Sequence, residues 1–269
     1  MPSAVVNGIE LYFERWGQGP RLLFLNGSGS SIATSELLIK LFTSDFEVLV
    51  HDQRGLGASE IPPGPYSMAD YAADAAALLD HIGWERANVV GVSFGGMVAQ
   101  ELAVTHPERI ERLALMCTSP GGTGGASYPL HELAGLPEHE RAALGTQLLD
   151  TRFTPEWLHA HPGDRALADM MAARRSSEKT AEQLRGETEQ LAARSHHDVC
   201  DRLSKITCPT LVAGGRFDGI APPGNGEAIV ARVPGAHLKL YDGGHAFFAQ
   251  DRAALADVLG FLGGGELSS

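Results

Sequence analysis

The segment Asn88-Val89-Val90-Gly91-Val92-Ser93-Phe94-Gly95-Gly96 constrains the fold more than any other. A short apolar run stops at a glycine and a serine. Helix-forming residues, Met97 to His106, follow Gly96 and end at Pro107. A strand that turns directly into a helix leaves little room inside the turn, and glycines on both sides of Ser93 let backbone come close where a side chain would obstruct it. The pattern Gly-x-Ser-x-Gly is short enough to arise by chance in a chain with 32 glycines, so its weight comes from this strand–turn–helix setting.

The rest of the N-terminal half repeats the motif of strand followed by helix. Ile9 to Glu14 reads as an early hairpin strand. Arg21 to Leu25, Phe46 to Val50 and Leu113 to Met116 are near-continuous apolar runs. Such runs suit strands covered on both faces, as in a parallel sheet. Tyr66 to Gly83 is alanine-rich with helical spacing of Tyr71, Leu78, Leu79 and Ile82. This alternation predicts an α/β fold, a mostly parallel central sheet flanked by helices. The alternation breaks at Pro120-Gly121-Gly122-Thr123-Gly124-Gly125 and resumes at Thr207 to Ala213, then His237 to Tyr241, with a closing helix from Arg252 to Leu262 and a frayed tail from Gly263 to Ser269. An insertion of that length is too long for a plain loop. The expected organisation is therefore a core of residues 1–120 and 204–269 with a helical cap at 121–203, the glycines at 121–125 acting as its hinge.

Composition narrows the class. Thirty-three acidic against 21 basic residues give a formal charge of −12, which repels a phosphate backbone, so nucleic-acid binding is not expected. No apolar run reaches the length of a membrane span. The first residues lack a basic stretch followed by an apolar one, and Cys117, Cys200 and Cys208 show no paired spacing, which points to reduced thiols and a cytoplasmic setting.

A serine hydroxyl is a poor nucleophile until a base takes its proton. Among 11 histidines, His245 follows the last strand, has Gly243 and Gly244 before it and Phe247 and Phe248 after it, and is the expected base. His51 also follows a strand but reads as structural beside Asp52-Gln53-Arg54-Gly55, and His196 and His197 have no spaced partners for a metal. The imidazole needs an acid to hold its tautomer. Asp218, just past a strand in Gly214-Gly215-Arg216-Phe217-Asp218, is preferred to Asp242, which lies only three residues from His245 and is expected to cap its loop. The chain order Ser93, Asp218, His245 is that of a hydrolase triad on an α/β sheet. Negative charge on an attacked carbonyl requires fixed donors; the expected ones are the backbone N–H of Phe94 and that of Ser28, in the loop Asn26-Gly27-Ser28-Gly29. Ten of the glycines fall in the four loops named here.

Leu25-Asn26-Gly27-Ser28-Gly29, Asp52-Gln53-Arg54-Gly55-Leu56-Gly57-Ala58-Ser59, Gly91 to Gly96, Asp218 and Gly243-Gly244-His245 together resemble the α/β-hydrolase superfamily over nearly the whole chain. The chain is most similar to its compact cofactor-free members, which include esterases, enol-lactonases, C–C bond hydrolases and non-haem haloperoxidases. The resemblance implies that the loop from Asp52 to Ser59 is mainly structural, and that no cofactor or metal is used. Asn26 stands where the family commonly has His; enol-lactonases resemble this chain in often carrying Asn there. Val92 replaces a common His before the serine. Ser93 excludes the branch that uses an Asp nucleophile. The expected activity is hydrolysis of a small-molecule carboxylic ester or lactone through an acyl-enzyme. The alternatives are a 3-oxoadipate enol-lactonase-like or C–C bond hydrolase, and a non-catalytic ligand receptor on the same fold. Tyr128, Phe153, Trp157, Met170 and Met171 are candidate pocket-lining residues within the cap.

Overall fold

The computed structural model describes residues 2–175 and 178–265. Of the expected tail, 266–269 lie outside the described residues. The chain runs β1 (Ser3–Val6), β2 (Ile9–Trp16), β3 (Arg21–Leu25), α1 (Ile32–Lys40), β4 (Glu47–His51), α2 (Met68–His81), β5 (Ala87–Val92), α3 (Phe94–Thr105) and β6 (Ile110–Met116). Four helices follow, α4 (Glu138–Leu149), α5 (Pro155–Ala160), α6 (Pro162–Arg175) and α7 (Ala181–Ser195). The sheet then resumes with β7 (Thr210–Gly215), α8 (Pro223–Val230), β8 (His237–Tyr241), α9 (Phe247–Gln250) and α10 (Arg252–Leu262).

The strands form one eight-stranded sheet in the order β1-β2-β4-β3-β5-β6-β7-β8. The pairs β1/β2 and β2/β4 are antiparallel; the remaining pairs are parallel. Both faces are covered, which explains the near-continuous apolar runs. Successive side chains point to opposite faces, so Leu23, Leu25 and Val89 join the core beneath α2 and α3, while Leu22, Phe24, Val90 and Val92 join the one beneath α1 and α10.

Three elements differ from expectation. Helix α3 starts at Phe94, not Met97, so Gly95 and Gly96 lie inside its first turn. The reason is space: a Cβ at Gly95 would overlap the Leu25 carbonyl, and one at Gly96 would stand 2.6 Å from Thr118 Cβ. Helix α1 lies in a stretch rich in serine and glycine, where Ser31 and Thr34 form a reciprocal cap. Helix α8 opens on Pro223-Gly224-Asn225-Gly226, a poor helix sequence, and is held by packing, since a Cβ at Gly226 would meet Leu238 at 2.8 Å.

The loop after β4 braces the sheet edge. Asp52 accepts from Ile32 N–H at 2.6 Å and Ala58 N–H at 2.8 Å, and Gln53 Nε2 donates to Asn26 O at 2.7 Å. Arg54 meets Asp74 of α2 with two parallel bonds of 2.7 Å, and Asn7 Nδ2 donates to the same carboxylate at 2.8 Å. Both members of this ion pair are buried. Removing one partner strands the other charge away from water, at a cost of about 3–5 kcal/mol. Asp74→Ala is therefore expected to lower unfolding free energy by about that amount; a shift in urea midpoint corresponding to less than 1 kcal/mol would contradict the structural role of this loop.

Candidate active site

The site lies beyond the carboxyl ends of β3, β5, β7 and β8. Ser93 has φ 55° and ψ −112°, a conformation that non-glycine residues rarely adopt. Two bonds pin it: Ser93 N–H donates to Met116 O at 2.8 Å, and Thr118 Oγ1 donates to Ser93 O at 2.8 Å. Gly91 and Gly95 make the turn possible, because a Cβ on Gly91 would run into the backbone of Gly95. Ser93 sits at the N-cap position of α3, yet its hydroxyl makes no capping bond. It faces the histidine loop instead.

His245 Nε2 lies 3.0 Å from Ser93 Oγ, and His245 Nδ1 lies 2.8 Å from Asp218 Oδ2. The other oxygen of Asp218 accepts from Ile220 and Ala221 N–H, both at 2.8 Å. Its two oxygens are thus divided between the imidazole and its own loop, which fixes the carboxylate. Asp242 is turned away; it accepts from Arg152 Nη1 at 2.7 Å, and its own N–H donates to Asp251.

The end of α4 and the segment after it tie these loops together through main-chain bonds. His245 N–H donates to Leu149 O at 2.6 Å, Gly219 N–H to Leu148 O at 3.1 Å and Thr151 N–H to Phe217 O at 2.9 Å. Gln250 adds a side-chain link: its Oε1 accepts from Gly244 N–H at 2.8 Å, and its Nε2 donates to the buried carboxylate of Asp150 at 2.9 Å. None of these supports was anticipated. Main-chain bonds leave no mark on residue type, and Gln250 carries no motif; its only signal is its place five residues after His245.

On the opposite side, the loop after β3 passes over the serine. A Cβ on Gly27 would lie 3.7 Å from Ser93 Cβ. Ser30 N–H closes a turn on Gly27 O at 3.2 Å, which leaves Ser28 N–H unused by the turn. Phe94, as the first residue of α3, has an N–H with no intrahelical acceptor. Gln190 of α7 reaches this loop and accepts from Gly29 N–H at 2.8 Å. One turn further along α7, Arg194 is buried, and burial lowers its pKa to about 10.

The candidate lining residues separate into groups. Phe153, Trp157 and Met171 pack with Leu149, Ala168 and Ala246, next to His245. Met170 is an exposed side chain. Tyr128 lies against the acid loop, its N–H donating to Ile220 O at 2.7 Å. Cys117, Cys200 and Cys208 are buried free thiols. Among the described residues there is no helix long and apolar enough to cross a membrane, and no group of His, Cys, Asp and Glu arranged to hold a metal.

His51 and His197 are buried, and burial pushes each pKa from 6.5 down to about 4. Neither has a carboxylate partner like that of His245; His197 only approaches Ser119 O at 3.2 Å. Because the unfolded chain binds these protons at higher pH than the folded one, each histidine's share of stability is intact above pH 6.5 and is lost as pH falls toward 4. Each contributes up to about 3 kcal/mol of that loss. His197→Gln should flatten the fall in urea-unfolding free energy between pH 6.5 and 4 relative to the parent; an unchanged slope would show that His197 is not held neutral.

Comparison with known proteins identifies the family. Residues 20–251 match the model of the alpha/beta hydrolase fold family. The chain is 30% identical over 241 residues to a poly(3-hydroxyalkanoate) depolymerase of Ectopseudomonas oleovorans, covering 88% of this chain and 82% of the other. It is 28% identical over 240 residues to 3-oxoadipate enol-lactonase 2 of Acinetobacter baylyi, covering 88% and 86%. The crystal structure of the enol-lactonase from Burkholderia xenovorans LB400 superposes with a TM-score of 0.80 at 25% identity, covering 97% of this chain and 99% of that one. The chain belongs to the α/β-hydrolase family and is a hydrolase-fold enzyme.

Proposed function

We propose that the protein is a serine hydrolase acting on a small-molecule carboxylic ester or lactone. The observation that carries this reading is the line of contacts from Ser93 Oγ to His245 Nε2 at 3.0 Å and from His245 Nδ1 to Asp218 at 2.8 Å. The names of relatives, 3-oxoadipate enol-lactonase 2 and a pimeloyl-[acyl-carrier protein] methyl ester esterase, support the same bond type.

Ser93 Oγ attacks the substrate carbonyl as His245 Nε2 takes its proton. Asp218 holds the Nδ1–H and stabilises the imidazolium. Ser28 N–H and Phe94 N–H receive the oxyanion, each such donor being worth roughly 3–4 kcal/mol in the transition state. The tetrahedral adduct collapses, the C–O bond to the leaving group breaks, and His245 passes its proton to the departing alcohol or enol. A water then gives a proton to His245 and attacks the acyl group, and Ser93 leaves as the restored hydroxyl. In a lactone the leaving group stays attached to the acyl chain, so one hydroxy acid or its keto tautomer is released. Residues 121–203 act as a cap over this chemistry. Its segment at Leu148–Thr151 keeps the acid and base loops in register, and its α7 contacts the oxyanion loop through Gln190.

A fluorophosphonate probe is expected to label Ser93, identified by peptide mass mapping, and Ser93→Ala is expected to abolish both labelling and turnover of 4-nitrophenyl esters. Asp218→Asn should lower kcat about 10³–10⁴-fold by leaving the imidazole in the wrong tautomer. Unimpaired turnover by Ser93→Ala would overturn the reading. Parallel assays on simple esters, enol-lactones and vinylogous diketones then separate ester, lactone and C–C bond cleavage.

A further inference from the structure

Among the described residues two arginines are buried, Arg54 and Arg194, and their surroundings differ. Arg54 meets the Asp74 carboxylate with two parallel bonds. Arg194, in the last turn of α7, is only 5% exposed, yet among the described residues its side chain makes one hydrogen bond, from Nη1 to the carbonyl of Tyr128 at 2.8 Å. Its Nε and Nη2 are buried without a partner. Burial lowers its pKa, and among the described residues it has no carboxylate partner. A guanidinium held away from water with one whole edge unpaired is costly. Nε and Nη2 form the side of the fork that matches the two oxygens of a carboxylate.

The surroundings give this edge an address. Gln190 lies one turn earlier on the same face of α7. Its Oε1 is held by Gly29 N–H, while its Nε2 is buried and unpartnered. Ser28 Oγ, next to Gly29, is also buried without a partner. Tyr128, which receives the Arg194 bond, donates its own N–H to Ile220 O, and Ile220 N–H donates to Asp218. The end of α7 is thus linked to the loop over Ser93 through Gln190 and to the Asp218 loop through Arg194 and Tyr128. The unpartnered atoms of these three residues, Arg194 Nε and Nη2, Gln190 Nε2 and Ser28 Oγ, can all donate, and buried donors without an acceptor call for an anion.

We infer that Arg194, assisted by Gln190 Nε2 and Ser28 Oγ, forms a carboxylate-binding subsite beside Ser93, and that the enzyme's substrates are esters or lactones that carry a free carboxylate. The inference rests on the serine-hydrolase reading above and adds the substrate class to it. Because these donor atoms are shut off from solvent, it has a corollary: α7 lifts from Gly29 when substrate binds. Inside the closed site, the charge-assisted bonds act in a low dielectric, where they are stronger than in water.

The test compares kcat/KM for mono-4-nitrophenyl glutarate with that for its neutral isostere, 4-nitrophenyl 5-methylhexanoate, over the enzyme-free rates. A second pair, 4-carboxyphenyl butyrate and 4-isopropylphenyl butyrate, places the charge on the leaving group. In the parent enzyme, at least one pair is expected to favour the anionic ester tenfold or more. Arg194→Met should reduce that anionic-to-neutral ratio at least tenfold. Arg194→Lys, which keeps the charge and loses the fork, should reduce it by a smaller factor. If Arg194→Met does not fold, as judged by thermal melting, the ratio in Arg194→Lys decides, together with that in Ser28→Ala. Equal rates within both pairs, or an anionic preference that the variants leave intact, would overturn the subsite. That failure is distinct from failure of the hydrolase reading: in the first case Ser93 is still labelled by fluorophosphonate and still required for hydrolysis of the neutral esters, and in the second it is not.

Discussion

The close approach of two backbones at the end of β5 governs the rest of the site. Gly91, Gly95 and the Leu25 carbonyl leave no volume for a Cβ at either glycine. That crowding lets α3 begin immediately after the strand, and Ser93 is left in a positive-φ turn with its hydroxyl standing clear of both elements. Strain of this kind costs of order 1–3 kcal/mol and persists only where the surroundings hold it in place. Here the holding is visible: Met116 O and Thr118 Oγ1 grip the two ends of the Ser93 peptide, and Cys117 between them is also at positive φ. The same crowding brings the loop after β3 against Ser93, so that the proposed nucleophile and oxyanion donors are positioned by a single packing event.

In the proposed mechanism a rigid serine is useful only if the base arrives at a fixed distance, and His245 comes from a loop more than 150 residues away in sequence. Two main-chain contacts set its position. Gly215 packs against Gly243 and Gly244, which aligns the acid and base loops with each other. The segment at Leu148–Thr151 then bonds to both. The inserted segment is thus joined to the candidate site at Leu148–Thr151 beside the histidine, at Tyr128 beside Ile220 and at Gln190 beside Gly29. Under our proposal, the same insertion that selects the substrate also holds the reacting groups, so substitutions within it would affect kcat as well as KM.

The parts readable from sequence were those where backbone crowding or double-sided burial dictates residue type. Near-continuous apolar runs announced β3, β5 and β6, and His237–Tyr241 and Arg252–Leu262 match β8 and α10 residue for residue. The glycines around Ser93, Asp218 and His245 pointed to loops that do converge. Helices α1 and α8 were invisible because capping and tertiary packing hold them against weak propensity. The bonds from Leu148 and Leu149 were invisible because any residue supplies a carbonyl. Arg194 lay hidden for a further reason: in sequence it is one of many charged residues on a polar helix, and only its burial without a carboxylate sets it apart from Arg54.

The central claim is that the strained turn delivers Ser93 as a covalent nucleophile to His245. Acid-quenched intact-mass spectrometry, taken within the first turnover of a 4-nitrophenyl ester, tests it most directly. The account predicts a transient mass increase equal to one acyl group, mapping to Ser93 and absent from Ser93→Ala. An acyl adduct on another residue, or turnover by an enzyme whose Ser93 is never acylated even when deacylation is slowed, would contradict it.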